Sequence, residues 1–273
     1  MKVRIKNSLR KFIYSSINYK HWCLIKSFMK EPRYVFNCLF RQKNKKTDIT
    51  KKILTEGFYT GDLNKIMGDS SWENTRSELL KLKDSEEERC KSKQTRYVAR
   101  SKELVDSGFI NEFIKESGLA KIAEDYIGGS GYLSVIELWW AWPNFKKSGY
   151  PQFHLDRGDF RSLHFFINVI DMPKGSGESL LIDKKKTDEF LSKRKTWGAE
   201  MLEDKVISDV IEGYDVQNGS GPSGTILMFD PGHVLHCGGR MTPESERLSL
   251  LVSFHSKAKF LKEGFLRPST NFH

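Results

Sequence analysis

The chain has 273 residues and a net charge of +10, and it is long enough to bury one sizeable core with a smaller appendage. Its four cysteines include no CxxC pair, which excludes a zinc signature and a disulfide framework and favours a reducing, cytoplasmic location. No apolar run reaches the ~20 residues of a membrane span or the ~7–15 of a secretory signal, so we expect a soluble protein or one that lies on a membrane surface.

The positive charge is concentrated in residues 1–46, which contain 13 lysines and arginines and a single acid, Glu31. The remaining chain is close to neutral, at about −2. Apolar residues recur at steps of three and four along this arm, which predicts a basic amphipathic helix. These apolar residues are Ile5, Leu9, Phe12, Ile13 and Ile17.

Three roles are open for this basic arm. It could lie on an anionic membrane, such as the inner face of a cell membrane, where each surface Lys or Arg contributes ~1 kcal/mol. It could equally pack its apolar face on the rest of the protein. Nucleic-acid binding is the least favoured role, because the sequence contains no recognition motif.

Residues 47–130 form a mostly helical flanking region, preceded by a polar stretch at 43–52 that has the composition of a linker. Helical periodicity is clearest at 109–114 and 119–127. The glycine-rich segment 128–131 ends this region, and the character of the sequence then changes.

Residues 131–273 carry runs rich in β-branched and aromatic residues, which predict strands. These runs lie at 132–142, 163–169, 179–182, 225–229 and 248–254. One helical insertion is predicted near 186–205. Strands separated by turns, with a single helical insertion, favour an antiparallel barrel or jelly roll over a βαβ array.

Two potential metal ligands, His154 and Asp156, are separated by one residue. Alternate side chains of an extended strand point to one face, so an imidazole and a carboxylate can converge on one ion. A second histidine from a distant strand completes two histidines and one carboxylate, a set that leaves positions open and is typical of non-haem Fe(II) oxygenases. His236 is the candidate for that third ligand, and His233 competes with it.

Arg247 follows His236 by 11 residues and begins an apolar strand. Arg247 and Ser249 alternate on this strand and so share a face. A guanidinium with a neighbouring hydroxyl is suited to bidentate capture of a dicarboxylate. The 11-residue spacing and the glycines after Cys237 favour His236 over His233 as the metal ligand.

From about residue 138 to residue 254 the sequence resembles the phytanoyl-CoA dioxygenase family. The matching segments are 154–161, 163–171, 224–229, 236–239 and Arg247 with the strand that follows it. The resemblance implies a double-stranded β-helix (a jelly-roll, cupin-like barrel) with flanking helices. It further implies iron ligands at His154, Asp156 and His236, and binding of the distal 2-oxoglutarate carboxylate by Arg247 with help from Ser249.

The activity implied by the resemblance is hydroxylation of a C–H bond with release of succinate and CO2. The implied cofactors are Fe(II), 2-oxoglutarate and O2, with ascorbate as a candidate stimulant. Asp156 argues against a halogenase, in which a small residue replaces the carboxylate. Residues 182–186 depart from the Pro-Gly-Ser-His segment often found in the family, so the substrate, whether a small molecule or a lipid- or glycan-linked one, does not transfer by analogy.

Several residues near the predicted site have two readings. His164 either points into the barrel and binds the co-substrate or packs in the core, and Asn168 shares its face. Trp139, Trp140 and Trp142 are core residues by default, and one of them is a candidate wall of the substrate pocket.

Two other functions compete with the oxygenase. One is a cupin-like metal enzyme or isomerase that uses no oxoglutarate, against which Arg247 argues. The other is a non-catalytic barrel that serves as a metal-binding or membrane-surface scaffold, against which the intact ligand set argues. The sequence does not indicate an oligomeric state.

Overall fold

The structure, a computed structural model, describes residues 19–40, 46–68, 72–128, 131–143, 145, 152–156, 159–194 and 201–256. The helix predicted at residues 5–17 lies outside these residues. The described helices are α1 (Tyr19–Lys30), α2 (Pro32–Phe40), α3 (Asp48–Glu56), α4 (Leu63–Met67), α5 (Trp72–Lys93), α6 (Ser101–Asp106), α7 (Phe109–Glu116), α8 (Leu119–Ile127), α9 (Lys184–Arg194) and α10 (Asp204–Ser208). The described strands are β1 (Phe58–Asp62), β2 (Tyr97–Ala99), β3 (Tyr132–Ala141), β4 (Ser162–Asn168), β5 (Ser179–Ile182), β6 (Val216–Asn218), β7 (Thr225–Phe229), β8 (His236–Gly238) and β9 (Arg247–His255).

The strands form two antiparallel sheets that face each other. The larger sheet has the order β1-β7-β4-β9-β3-β2, and the smaller has the order β6-β5-β8. An additional bridge between His154 and His236 extends the edge of the smaller sheet beyond β8. The predicted fold class, a double-stranded β-helix with flanking helices, is confirmed.

The central strands of the larger sheet, β4, β7 and β9, are buried on both faces, because helices cover one side and the smaller sheet covers the other. In β4, Leu163, Phe165 and Ile167 face the helices and join the main hydrophobic cluster. The intervening residues of that strand, among them His164 and Phe166, face the barrel interior, as the two-residue period of a strand requires. This alternation places polar side chains inside the barrel without interrupting the hydrophobic core.

The smaller sheet has its own hydrophobic cluster on its outer side, where α9 and α10 cover it. Ile182 and Cys237 pack there against Phe190, Leu191 and Ile207. A third cluster lies between the two sheets, where Leu181 meets Leu227 and Phe229. The helical insertion therefore forms the outer layer of the smaller sheet.

The polar stretch at 43–52 is not a linker throughout, because α3 begins at Asp48. The side chain of Thr47 caps this helix by accepting the backbone N–H of Thr50 at 3.2 Å. Ile53 is buried beneath the helix, and Gly57 ends it in the left-handed conformation. No helix among the described residues is both long enough and apolar enough to cross a lipid bilayer.

Candidate metal centre

The structure brings His154, Asp156 and His236 together on one side of the barrel. Their ligand atoms all lie within 4.8 Å of one another. The Nε2 atoms of His154 and His236 lie 3.6 Å and 3.9 Å from Oδ1 of Asp156. Three donor atoms at such separations can share one ion, so the spacing seen in the sequence corresponds to a cluster in space.

Backbone hydrogen bonds hold the two ligand-bearing segments against each other. His154 and His236 exchange backbone N–H to C=O bonds of 2.9 Å and 3.0 Å. The backbone N–H of Asp156 donates to the carbonyl of Pro231 at 2.8 Å. All three ligands are thus tied to one pair of segments, which limits how far any of them can drift from the others.

The histidine rings are oriented by carbonyls two residues upstream. Nδ1 of His154 lies 3.0 Å from the carbonyl of Gln152, and Nδ1 of His236 lies 3.1 Å from that of Val234. A carbonyl only accepts, so each Nδ1 carries the proton and each Nε2 presents its lone pair to the centre. Burial lowers the pKa of His236 to about 4, which keeps that ring neutral and able to bind a metal near pH 7.

The donor set fits a divalent transition metal. Burial alone would raise the pKa of Asp156, but the histidines around it, His236 first, hold it below its ordinary value. The centre therefore offers one carboxylate oxygen and two imidazole nitrogens. These are the donors of the two-histidine, one-carboxylate site of non-haem iron enzymes, which leaves positions open for other ligands.

A buried turn supports the candidate metal ligands from behind. Asp230 accepts the Tyr126 hydroxyl at 2.6 Å and the Gly232 N–H at 2.9 Å, and Nδ1 of His233 lies 3.0 Å from it. Burial would raise the pKa of Asp230, but these groups together hold it below its usual value. The turn that Asp230 anchors contains Pro231, which binds Asp156, and leads directly into His236.

His233 is accordingly placed in the turn and outside the cluster of metal ligands. Its ring pairs with the carboxylate of Asp230. The geometry favours His236 over His233 as the third ligand, as the spacing to Arg247 predicts.

Arg247 lies at the end of the same cavity with its guanidinium buried. Its Nε donates to Ser249 Oγ at 3.1 Å, and another N–H donates to the carbonyl of Gly177. Among the described residues, no carboxylate lies within ion-pair distance of it. Burial, with a smaller effect from Arg96, lowers the pKa of Arg247 to about 10 against a weaker opposing effect of the Glu178 carboxylate. A buried cation that makes no direct ion pair is costly, and an anionic ligand would offset that cost.

One cavity of about 310 Å³ joins the metal ligands to Arg247. This volume is at the low end of the ~300–1,000 Å³ range of small-molecule sites. His164 borders it, with its ring 5.8 Å from that of Phe229, and burial lowers the pKa of His164 to about 3. The reading in which His164 points into the barrel is therefore the one that the geometry favours.

For Asn168 and the three tryptophans, the sequence left open whether they line the site or pack elsewhere, and the structure divides them between the two roles. Asn168 donates to the carbonyl of Gly219 at 3.0 Å and serves the packing of the loop. Trp139 lines the cavity, whereas Trp140 and Trp142 stack on each other, 4.7 Å between ring centroids, in the main hydrophobic cluster.

The cavity residues that were not singled out from the sequence include Glu137, Arg96 and Tyr97. Glu137 is the only charged residue of β3, and this isolated acid is the signal that could have identified it. Arg96 and Tyr97 come from the short edge strand β2 and the residue before it, where the sequence shows no periodicity.

Comparison with known proteins gives similarity in structure only. No protein-family model matches the chain, and no curated protein matches its sequence. AviO1 from Streptomyces viridochromogenes Tue57 superposes with a TM-score of 0.56 and 14% identity, covering 80% of this chain and 98% of that one.

Two further similar solved structures contain bound ligands. EctD from S. alaskensis with 2-oxoglutarate and 5-hydroxyectoine has a TM-score of 0.57 and 13% identity, over 81% of this chain and 82% of that one. The epimerase SnoN in complex with Fe3+, alpha ketoglutarate and nogalamycin RO has a TM-score of 0.53 and 14% identity, over 76% and 82%. At these identities the chain shares the barrel fold of these proteins, with its own cluster of two histidines and an aspartate that could hold a metal ion.

Proposed function

We propose that the protein is an Fe(II)- and 2-oxoglutarate-dependent dioxygenase that hydroxylates a C–H bond and releases succinate and CO2. One observation carries the proposal. Two imidazole nitrogens and a carboxylate converge in a cavity that is also lined by a buried arginine, with which no carboxylate of the described residues makes an ion pair. A metal-binding dicarboxylate would bind the metal and the arginine at once.

In this proposal His154, Asp156 and His236 hold the iron, which supplies the activation of O2 when bound. Arg247 binds the distal carboxylate of 2-oxoglutarate, and the hydroxyl of Ser249 keeps the guanidinium in place. His164 faces the co-substrate as a neutral ring. From the sequence motifs around these residues, we propose that the protein belongs to a phytanoyl-CoA dioxygenase-like family.

The fold neighbours support the proposal by what they bind. EctD is described with bound Fe and with 2-oxoglutarate, and SnoN with Fe3+ and alpha ketoglutarate. We further propose that residues 131–273 form the catalytic unit, with β1 and β2 added at its sheet edges by residues 47–130. The organic substrate would then reach the iron from the part of the cavity that Arg247 does not occupy.

The test measures iron content and succinate formation on anaerobically purified protein supplied with Fe(II), ascorbate and 2-oxoglutarate. We expect wild type to retain iron and form succinate slowly without substrate. Iron should be lost in His154→Ala and His236→Ala and kept in Asp209→Asn, an exposed position away from the ligands and the turn behind them. Oxoglutarate binding should be lost in Arg247→Ala and kept in Arg240→Ala, an arginine at the surface.

Two results would favour the competing functions. Wild-type protein that binds no iron would contradict the ligand set and favour a non-catalytic scaffold. Protein that binds iron but not 2-oxoglutarate would favour a cupin-like metal enzyme or isomerase.

We also propose that the basic N-terminal helices contact an anionic membrane surface from the cytoplasmic side. Four large apolar side chains of α1 and α2 are exposed, by 42–78% of their surface. These residues are Ile25, Phe28, Met29 and Phe36. The opposite side of the pair is docked on the body, where Val35 is buried and the Tyr34 hydroxyl donates to the carbonyl of Ile127 at 2.9 Å.

Exposed apolar side chains in a segment with an excess of lysine and arginine match a surface of anionic lipid. Co-sedimentation with phosphatidylglycerol vesicles at low salt should decrease in a Phe28→Ser, Met29→Ser variant. It should not change in Met201→Ser, which alters an exposed methionine of the barrel region. Equal sedimentation of all three proteins, or equal binding to phosphatidylcholine vesicles, would contradict this proposal.

A further inference from the structure

One wall of the cavity carries a carboxylate that the proposed iron and oxoglutarate chemistry does not use. Alternate residues of β3 face the cavity, namely Val135, Glu137 and Trp139. Glu137 lies opposite Leu251 in β9, four residues along that strand from Arg247. Four residues of strand span ~13 Å. A carboxylate held by Arg247 therefore lies well away from Glu137, which remains available to a second molecule.

Among the described residues, no cation makes an ion pair with Glu137, although Arg100 and Arg96 act on its charge from a greater distance. The Glu137 carboxylate accepts the indole N–H of Trp139 at 2.8 Å. The two nearby guanidinium groups lie over aromatic rings instead. Arg96 is 4.1 Å from the centre of the Trp139 ring, and Arg100 is 4.1 Å from that of Tyr97.

The remaining acceptor capacity of this carboxylate is large. An ionised carboxylate offers about four lone-pair sites, and the Trp139 N–H uses one. Burial raises the pKa of Glu137, and this effect exceeds the opposing effects of the Trp139 hydrogen bond and of Arg100 and Arg96. Burial destabilises the ionised carboxylate. A ligand that donates hydrogen bonds and carries positive charge would stabilise it again.

Aromatic rings surround the same part of the cavity. Trp139 lies between Tyr97 and Phe166, with ring centroids 6.1 Å and 5.5 Å away, both edge-on. Aromatic faces attract cations through the ring quadrupole, most strongly where water is excluded. Arg96 and Arg100 already cover one face each of Trp139 and Tyr97, so an organic cation would bind mainly to the Glu137 carboxylate, with the rings lining its surroundings.

We propose that Glu137, together with Tyr97 and Trp139, binds a positively charged nitrogen group of the substrate, an ammonium or a guanidinium. The substrate is then a small organic amine whose cationic end is held on the β3 wall while another carbon is presented to the metal centre. This proposal rests on the proposed function, because it takes the metal and Arg247 to be occupied by iron and oxoglutarate. The cavity of about 310 Å³, shared with oxoglutarate, limits the amine to a small molecule.

The test uses full-length protein loaded anaerobically with Fe(II) and 2-oxoglutarate, and matched pairs of small probes. The cationic probes are butylammonium and ethylguanidinium; their neutral isosteres are butan-1-ol and N-ethylurea, and butyrate is the anionic probe. Calorimetric titration at pH 7.5 should show each cation binding wild type about tenfold or more tightly than its isostere. In Glu137→Gln, which keeps the side-chain shape and an acceptor for Trp139, that preference should disappear.

Glu116→Gln provides the matched control, because it removes one negative charge at an exposed position of α7. This variant should keep the wild-type preference for cations. The proposal is overturned if wild type binds neither cation more tightly than its neutral isostere, or if Glu137→Gln retains the preference.

Oxoglutarate binding is measured separately in the same samples. Loss of metal-dependent oxoglutarate binding in wild type would contradict the proposed function. Normal oxoglutarate binding without any preference for cations would contradict only the amine site.

Discussion

Arg247→Met tests whether the buried guanidinium is a receptor for an anion or a structural group. In the absence of oxoglutarate the folded protein buries a positive charge without a carboxylate partner among the described residues. The pKa of Arg247 falls from 12.5 to about 10, a difference worth about 3 kcal/mol against the charged folded state. Two hydrogen bonds, to Ser249 and Gly177, offset part of this at about 1 kcal/mol each.

Methionine has a similar length and no charge. The substitution therefore removes both the free-energy cost of burying the charged guanidinium and its two hydrogen bonds. We expect the variant without ligands to be more stable than wild type by about 1 kcal/mol, which raises Tm by roughly 2–4 °C in a chain of this size. The folded-state pKa is lowered, so the penalty is fully present below about pH 10 and is relieved as the pH rises from there towards 12.5. Stability measurements at pH 7.5 therefore include the whole cost of burying the charged guanidinium.

Urea denaturation of wild type and variant, with and without Fe(II) and 2-oxoglutarate under anaerobic conditions, provides the assay. Oxoglutarate should stabilise metal-loaded wild type and have no effect on metal-loaded Arg247→Met. Arg240→Met is the control and should change stability by less than about 0.5 kcal/mol, because its ion pair with Asp204 is at the surface. If Arg247→Met without ligands is less stable than wild type by more than 1 kcal/mol, the guanidinium is a structural group and the receptor argument fails.

Two further predictions concern the support of the site and the thiols. Asp230→Asn weakens the anchoring of the turn behind the metal ligands, so iron affinity measured by chelator competition should fall by roughly 10–100-fold. Asp209→Asn, an exposed control, should leave it unchanged, and equal affinities in the two variants would show that Asp230 does not position the ligands. Burial raises the pKa of Cys90, and it raises that of Cys237 to about 12, so neither should be alkylated by iodoacetamide at pH 8 in folded protein. Peptide mapping by mass spectrometry checks this, with urea-unfolded protein as the fully reactive reference; rapid labelling of Cys237 in the folded state would contradict the burial argument.

Local periodicity accounts for the elements that the sequence predicted correctly. The runs at 179–182 and 225–229 are observed as β5 and β7 with the same bounds, and the helix at 119–127 is observed as α8. Each of these segments has enough consecutive residues typical of a strand or a helix to be recognised from the sequence. The three-residue strands β2, β6 and β8 have no such signal, because pairing with a neighbour defines them and local propensity does not.

At residues 43–52 the composition predicted a linker, whereas the structure has the start of a helix. Helix α3 forms there because Ile53 finds a buried position and Thr47 caps the first turn. Neither the buried position nor the cap geometry can be recognised without the rest of the fold.

The sequence alone determined which side chains share a face within one strand. The i, i+2 spacing of His154 and Asp156 and that of Arg247 and Ser249 follow from the two-residue period of extended backbone, and both pairs lie side by side in the structure. Tertiary structure decided everything that depends on register between strands. It brought His236 to His154 across 82 residues and Tyr126 to Asp230 across 104, and it turned Glu137 towards the cavity. Contacts of that range depend on how the sheets pair and pack, which no local pattern in the chain encodes.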